Sequence, residues 1–234
     1  MVRLGNFLFR YRNGLFPLAY LFIFAKTSLL FQDYRLAALL GLIIALIGQT
    51  LRCATIGLDY IVRGGKNRQV YAEDLVTGGI FSHCRNPLYV GNYLLLVGVG
   101  MASCSRVFVF LILPLMALAY WAIIAAEENF LRNKFGEIFD SYCERVSRLF
   151  FKPIGLSSTL QGMTFHWPRV VVKEYGTTFA WTLGYVLVVM QNAWLDHDYV
   201  SSSPLIITLW LALICIIVLF LVSRFLKKRE IIRG

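Results

Sequence analysis

Along this chain, apolar runs long enough to cross a bilayer alternate with short polar stretches. Runs near the roughly 17 to 25 residues that a crossing helix needs fall at 15–31, 36–51, 88–104, 107–126, 177–195 and 205–222. They predict an all-α, polytopic transmembrane bundle of about six spans. The second run is short, and it extends past Arg52 towards Leu58 where that guanidinium snorkels to the headgroups. The first run follows Arg3, Arg10 and Arg12, as the apolar part of a signal peptide does. It lacks a small-residue cleavage site and another span follows closely, so it reads as a retained helix.

One polar stretch carries a different period. Leu131, Phe135, Ile138, Tyr142 and Val146 recur at steps of three and four, which predicts an amphipathic helix lying along the cytosolic interface. Such a helix would roof whatever the neighbouring helix ends enclose.

Composition agrees with a lipid solvent. The 234 residues are 58% hydrophobic and only 15% charged, with a mean hydropathy of +0.66, which excludes a water-soluble globular domain and a disordered chain alike. The net charge of +10 is a reason to consider nucleic acid, but the placement of the charges points elsewhere. Twenty of the 23 basic residues fall on one side of the predicted spans. They are Arg3, Arg10 and Arg12; Arg52, Arg63, Lys66, Arg68 and Arg85; Arg132, Lys134, Arg145, Arg148, Lys152, Arg169 and Lys173; and Arg224, Lys227, Lys228, Arg229 and Arg233. The other side holds Arg35 and Arg106, with Lys26 near that end of the first span, and its last loop carries Asp196 and Asp198. Short cytoplasmic loops collect Lys and Arg, so both termini are expected in the cytoplasm. The charge then serves topology and contact with anionic membrane lipids, with no nucleic-acid partner.

The five cysteines, Cys53, Cys84, Cys104, Cys143 and Cys215, are odd in number and scattered over both sides and a span, so no disulfide framework follows. His83 beside Cys84 has no CxxC or HxxxH spacing around it, and no metal site is expected.

Two polar stretches at helix ends hold the candidate chemistry. The first runs from Glu73 and Asp74 through Leu75, Val76, Phe81, Arg85, Asn86, Pro87, Leu88 and Tyr89 into the third span. Pro87 suits the first helical position, where its missing N–H costs nothing. The positive end of that helix, with Arg85 beside it, suits a carboxylate or phosphate. A well-capped helix with a positive-inside arginine explains the same residues. The second stretch opens with Glu127 and Glu128 directly after the fourth span, where two adjacent carboxylates are costly unless paired, hydrated or used.

Together, Gly79-x-Phe81-x-x-x-Arg85-x-Pro87-x-Tyr89-x-Gly91, a span pair, Glu127-Glu128-x-x-Leu131-x-x-x-Phe135-Gly136 and Tyr142-x-x-x-Val146-x-Arg148 resemble the isoprenylcysteine carboxyl methyltransferase and phospholipid methyltransferase superfamily. The resemblance covers residues 66–151. It implies an integral membrane enzyme that binds S-adenosylmethionine from the cytosolic side and methylates a lipid-borne or lipidated acceptor. It further implies a cofactor site built from Glu73, Asp74, Leu75, Val76, Phe81, Arg85, Asn86, Pro87, Leu88, Tyr89, Glu127 and Glu128, with Arg85 and Glu127 as the catalytic pair. On this reading residues 1–58 form an N-terminal transmembrane hairpin and 59–151 the methyltransferase-like core. Residues 152–234 form a cytosolic loop and a C-terminal hairpin, with packing, a homodimer contact or shaping of lipid access as the roles open to it.

Two positions depart from the carboxyl methyltransferase pattern. Asn86 stands where those enzymes usually show His, and Asn cannot titrate near neutrality, so it is no general base. Ile123 stands where they place a substrate-binding arginine one turn before the Glu pair. The acceptor therefore stays open between a carboxylate, a phosphate and an amine. An anionic acceptor needs no base, which the absence of a histidine in either motif favours. An NADPH-dependent sterol-type reductase and a non-enzymatic small membrane protein are the alternatives, and the acidic pair is a poor neighbour for a 2′-phosphate. The membrane is a bacterial inner membrane or the endoplasmic reticulum.

Smaller polar features read locally. Gln49, Thr50, Asn92 and Tyr93 suit either pocket lining or interhelical hydrogen bonds. Gln191 and Asn192 suit headgroup contact, Trp167-Pro168 an interfacial anchor, and Gly98-Val99-Gly100 close helix packing.

Overall fold

The computed structural model describes residues 1–25, 31, 33–58, 70–196 and 203–232. Lys26, Arg63, Lys66, Arg68, Asp198 and Arg233, which enter the charge-placement argument, lie outside the described residues. Among the described residues the fold is all-α, with eight α-helices: α1 (Val2–Tyr20), α2 (Tyr34–Leu58), α3 (Pro87–Ser103), α4 (Leu113–Phe135), α5 (Glu137–Arg145), α6 (Leu156–Gln161), α7 (Trp167–Leu195) and α8 (Pro204–Lys228). Three helical stretches are long and apolar enough to cross a membrane, namely Tyr34–Leu58, Phe108–Phe135 and Pro204–Lys228; Pro87–Ser103 is apolar but shorter.

Several boundaries differ from the hydropathy reading, each for a physical reason. The first helix begins at Val2 rather than near Leu15, and after Tyr20 it tightens into a 3₁₀ turn at Leu21–Phe24. Its basic residues are carried on a helix that packs, since a Cβ on Gly5 would collide with the Ala122 carbonyl of α4. The fourth helix opens with a π turn at Phe108–Ile112 and runs on to Phe135. Glu127 and Glu128 therefore lie inside a continuous helix rather than at its exit. The interfacial helix is cut at Gly136, whose backbone sits at φ +54°, a conformation that favours glycine. That break shifts the register, so Phe139 is buried and Ile138 is 69% exposed. Phe139, Tyr142 and Val146 then form a small apolar cluster with Leu75, Leu131 and Phe135 against it.

The α2–α3 pair is the tight seam of the bundle. Gly41 and Gly48 of α2 face Gly98 and Gly91 of α3, and an added Cβ on Gly48 would lie 2.8 Å from the Gly91 carbonyl oxygen. Small residues let two backbones approach this closely, as expected for Gly98-Val99-Gly100. Helix α7 packs across both, burying Trp181, Val186, Val188 and Val189. Tyr20 of α1 occupies the space above Gly184 of α7, so α1 bridges α4 and α7. Helix α8 buries only Ile206 and Leu209 fully and leaves most of its apolar surface outward.

The main buried polar side chains of the bundle are paired, although Gln191 Oε1 has no hydrogen-bond partner among the described residues. Arg52 does not snorkel: it is 1% exposed and lies against Glu174 of α7, which is 2% exposed. Asn192 does not face headgroups either; it is buried and donates from Nδ2 to the Ala102 carbonyl at 2.8 Å. Gln191 donates to the Phe24 carbonyl at 3.3 Å. Trp167, at the start of α7, is 69% exposed, with Pro168 in the first turn.

Candidate functional site

Between α1, α3, α4, α7 and the segment 70–86 lies a cavity of about 1060 Å³. That is at the upper end of the range typical of small-molecule sites. Its wall contains Glu73, Asp74, Val76, Phe81, Arg85, Asn86, Pro87, Leu88, Tyr89, Glu127 and Glu128. Of the twelve cofactor-site residues named from sequence, Leu75 is the exception; it packs against the Phe139–Tyr142–Val146 cluster.

The segment ahead of α3 is held by long-range hydrogen bonds rather than by its own helix. The Arg85 amide donates to the Ser147 carbonyl at 2.9 Å, and the Lys152 amide to the His83 carbonyl at 3.0 Å. Asn86 Nδ2 donates to the Arg148 carbonyl at 3.1 Å, and Tyr142 Oη to the Phe81 carbonyl at 2.7 Å. His83 lies 2.7 Å from the Lys152 carbonyl through Nδ1 and 2.9 Å from Thr159 Oγ1 through Nε2. Both ring nitrogens are engaged, which removes it as a metal ligand or base in this arrangement. Burial pushes the thiols of Cys84 and Cys143 up, so neither is an activated nucleophile.

The two adjacent carboxylates of α4 have separate partners. Glu128 is 5% exposed and is clamped by two arginines: Arg85 Nη2 donates to Oε1 at 3.0 Å, Arg148 Nε donates to Oε1 at 3.0 Å, and Arg148 Nη2 pairs with Oε2. Arg85 Nη1 caps the Cys143 and Val146 carbonyls at 2.7 and 3.0 Å. Two arginines around one buried carboxylate satisfy the charge that its burial makes costly. The clamp ties α3, α4 and the end of α5 together. Arg85 keeps one buried polar atom, Nε, with no hydrogen-bond partner among the described residues.

Glu127, by contrast, accepts a hydrogen bond from Tyr89 Oη at 2.7 Å. Tyr89 is set in turn by Tyr120, whose ring centroid is 5.5 Å away. Arg12 of α1 stands close enough for its charge to act on both Glu127 and Tyr89. Sequence reasoning placed Arg12 only among the topology-setting residues; the structure gives it a place in the cavity wall.

Of the opposite wall, sequence reasoning names only Asn92 as a lining candidate. Arg52 Nε and Nη2 bind Glu174 Oε2 and Oε1 at 2.7 and 2.8 Å, Nη1 donates to the Leu88 carbonyl at 3.3 Å and to Asn92 Oδ1, and Nη2 reaches Thr177 Oγ1 at 3.4 Å. Trp181 Nε1 donates to Gln49 Oε1 at 2.8 Å, and Gln49 Nε2 lies 3.5 Å from Glu174 Oε2. This network joins the first turn of α3 to α7, and α7 supplies Lys173, Tyr175, Thr177 and Trp181 to the cavity wall. The available signal was a lone acidic residue, Glu174, just ahead of an apolar span, together with a lone arginine at the end of another. Each needs an opposite charge once it is buried.

Comparison with known proteins follows the same residues. The phospholipid methyltransferase family model matches residues 36–138. The cobalt-zinc-cadmium resistance protein CzcN of Cupriavidus metallidurans is 32% identical over 209 residues, which cover 83% of this chain and 87% of that protein. The nickel-cobalt-cadmium resistance protein NccN of Alcaligenes xylosoxydans xylosoxydans is 34% identical over 109 residues, 47% of this chain and 49% of that protein. The protein-S-isoprenylcysteine O-methyltransferase of Xenopus laevis is 32% identical over 118 residues, 47% of this chain and 38% of that protein. No solved structure gives a significant match. The family match takes in both motif stretches up to Ile138, and the similarity to CzcN runs through most of both chains; the chain belongs to the phospholipid methyltransferase family.

Proposed function

We propose that this membrane protein is an S-adenosylmethionine-dependent methyltransferase acting on a lipid-borne or lipidated acceptor that carries a carboxylate, phosphate or amine. The single observation that carries the reading is the shared cavity. Eleven of the twelve residues named from sequence stand on its wall, although they come from two stretches separated by a pair of helices.

The residues present suit the cofactor. It is zwitterionic at its amino-acid end and cationic at sulfur, and the wall offers Glu73, Asp74 and Glu127 for the cations and hydroxyls. Phe81 and Tyr89 offer ring faces. The orphaned Nε of Arg85 is a buried donor awaiting an acceptor, which a carboxylate satisfies. When bound, S-adenosylmethionine supplies a methyl group already activated on a sulfonium. The chain's contribution is then placement and exclusion of water. Glu127, fixed by Tyr89, orients the cationic end, while Arg85, fixed by Glu128, offers its Nε to the carboxylate. Helices α1 and α7 close the apolar side.

In this reading α3, the apolar end of α1 with its 3₁₀ turn, and α7 cross the bilayer along with the three longer apolar stretches. That makes six crossings with both termini cytoplasmic. The resistance proteins' names connect relatives to divalent-metal stress, and a modified membrane lipid is the product through which this chain would serve such a role.

The test is binding of S-adenosylmethionine, its demethylated product and NADPH to the purified protein in detergent, followed by transfer of labelled methyl to lipid extract. Micromolar binding of the first two, lost in Glu127→Gln, is expected. Binding of NADPH alone would replace this reading with a reductase, and binding of none would end it.

A further inference from the structure

The buried arginine of α2 does more than neutralise its partner. Arg52 meets Glu174 through Nε and Nη2, at 2.7 and 2.8 Å, which completes the charge pairing. Its remaining nitrogen, Nη1, turns to α3 and donates to the Leu88 carbonyl at 3.3 Å and to Asn92 Oδ1. Leu88 and Asn92 are one turn apart on the same face of that helix, so a single nitrogen grips two points of it.

The arginine stem reaches them by crossing α3 at Gly91, a glycine of the motif ahead of the third span. A Cβ on Gly91 would lie 2.5 Å from Arg52 Cγ, so the missing side chain is what leaves the path open. A lysine ammonium would also pair with Glu174, but it has no planar fork to hold two walls at once.

The Leu88 carbonyl belongs to the same planar peptide unit as the Tyr89 amide. That amide donates to the Asn86 carbonyl at 3.1 Å, so the unit is held at both ends. Its orientation sets the direction in which the Tyr89 side chain leaves the helix. The Tyr89 hydroxyl in turn donates to Glu127 at 2.7 Å, which links α7 to the carboxylate of α4 through Arg52 and the first turn of α3.

We propose that Glu174 and Arg52 are positioning residues for the cofactor end of the cavity. Glu174 orients Arg52, Arg52 fixes the Leu88–Tyr89 peptide unit, and Tyr89 then presents its hydroxyl to Glu127. The word cofactor rests on the methyl-transfer reading, whereas the ordering of the α3 first turn rests on the hydrogen bonds alone. Glu174 lies outside the segment 36–138 that the family model matches, so α7 enters the site as a support as well as a wall.

The experiment compares the full native chain in detergent with Arg52→Met/Glu174→Leu and with Arg52→Lys. Thermal midpoint, amide hydrogen exchange across residues 89–93 and calorimetric binding of S-adenosylmethionine are read in the same samples. The double variant removes both charges together, and Arg52→Lys keeps a cation beside Glu174; either one that retains the native midpoint serves the test. Such a variant is expected to exchange faster across 89–93 and to bind S-adenosylmethionine about ten-fold more weakly, the equivalent of one lost hydrogen bond. A pair that only staples α2 to α7 would move neither reading at a native midpoint, and that result overturns the proposal. Faster exchange with unchanged affinity overturns it as well, because the order in α3 would then not reach the cofactor. A native chain that binds no S-adenosylmethionine, while exchange across 89–93 still depends on the pair, would refute the methyl-transfer reading and leave the pair as the organiser of the α3 first turn.

Discussion

Arg52 and Glu174 meet as a bidentate ion pair, at 2.7 and 2.8 Å, although 122 residues separate them in the chain. The pair is almost fully buried and sits between α2, α3 and α7. Through Arg52 Nη1 it also holds the Leu88 carbonyl, one residue before the tyrosine that orients Glu127. Removing one partner leaves an uncompensated buried charge, which costs about 3 to 5 kcal/mol. Arg52→Met and Glu174→Leu are each expected to lower the thermal midpoint in detergent strongly, while the double variant recovers most of the loss. Equal and additive losses would show that the pair is not coupled.

The neighbouring carboxylates Glu127 and Glu128 are expected to separate binding from stability. Glu128→Gln breaks a clamp on Arg85 and Arg148 and should lower the melting temperature. Glu127→Gln loses no ion pair within 4.0 Å among those described, and should keep the native midpoint while abolishing S-adenosylmethionine binding. Paired melting and binding curves for the two variants check this. A reversed pattern would exchange their roles.

Tyr89→Phe keeps the ring against Tyr120 and removes only the hydroxyl that donates to Glu127. A hydrogen bond to a charged group is worth about 1.5 to 3 kcal/mol, so cofactor affinity should fall by roughly ten- to a hundred-fold. The thermal midpoint should change little. Calorimetry on the two proteins decides it.

Helix approach at the α2–α3 seam leaves no room for a side chain. Gly98→Val would drive its side chain into the Gly41 carbonyl and Ala45 of α2, where overpacking costs about 1 to 3 kcal/mol or more. Gly162→Ala, with nothing within 4 Å of an added Cβ, is the control and should melt like the native protein.

Thiol reactivity follows burial. Cys84 is fully buried, and its thiol is pushed up by that burial. Only the thiolate reacts, so a maleimide reagent at neutral pH should leave Cys84 unlabelled until the protein is unfolded. Mass spectrometry of the peptide containing it reads the outcome. Fast labelling of folded protein would mean that the strap between residues 83–86 and 147–152 opens in solution.

Sequence alone determined what depends on local pattern. Apolar runs marked the central segments of the helices, and Pro87 marked the start of α3, because helix propensity, length and a missing N–H act within a few residues. The resemblance carried by the two motif stretches implied twelve site residues, and eleven of them share a cavity wall. Tertiary structure decided what depends on partners. Arg52 turns inward because Glu174 awaits it from α7, so a residue that looked suited to snorkelling became the joint between two walls. Glu128 became a clamp and Glu127 an open carboxylate because only one of these adjacent residues faces Arg85 and Arg148. The first helix starts at Val2 because Gly5 finds a close fit against α4, a gain invisible to hydropathy. Arg12, Lys173 and Lys227 reach one cavity wall from three helices that no sequence window spans, because α7 packs across the α2–α3 seam with α1 and α8 against it.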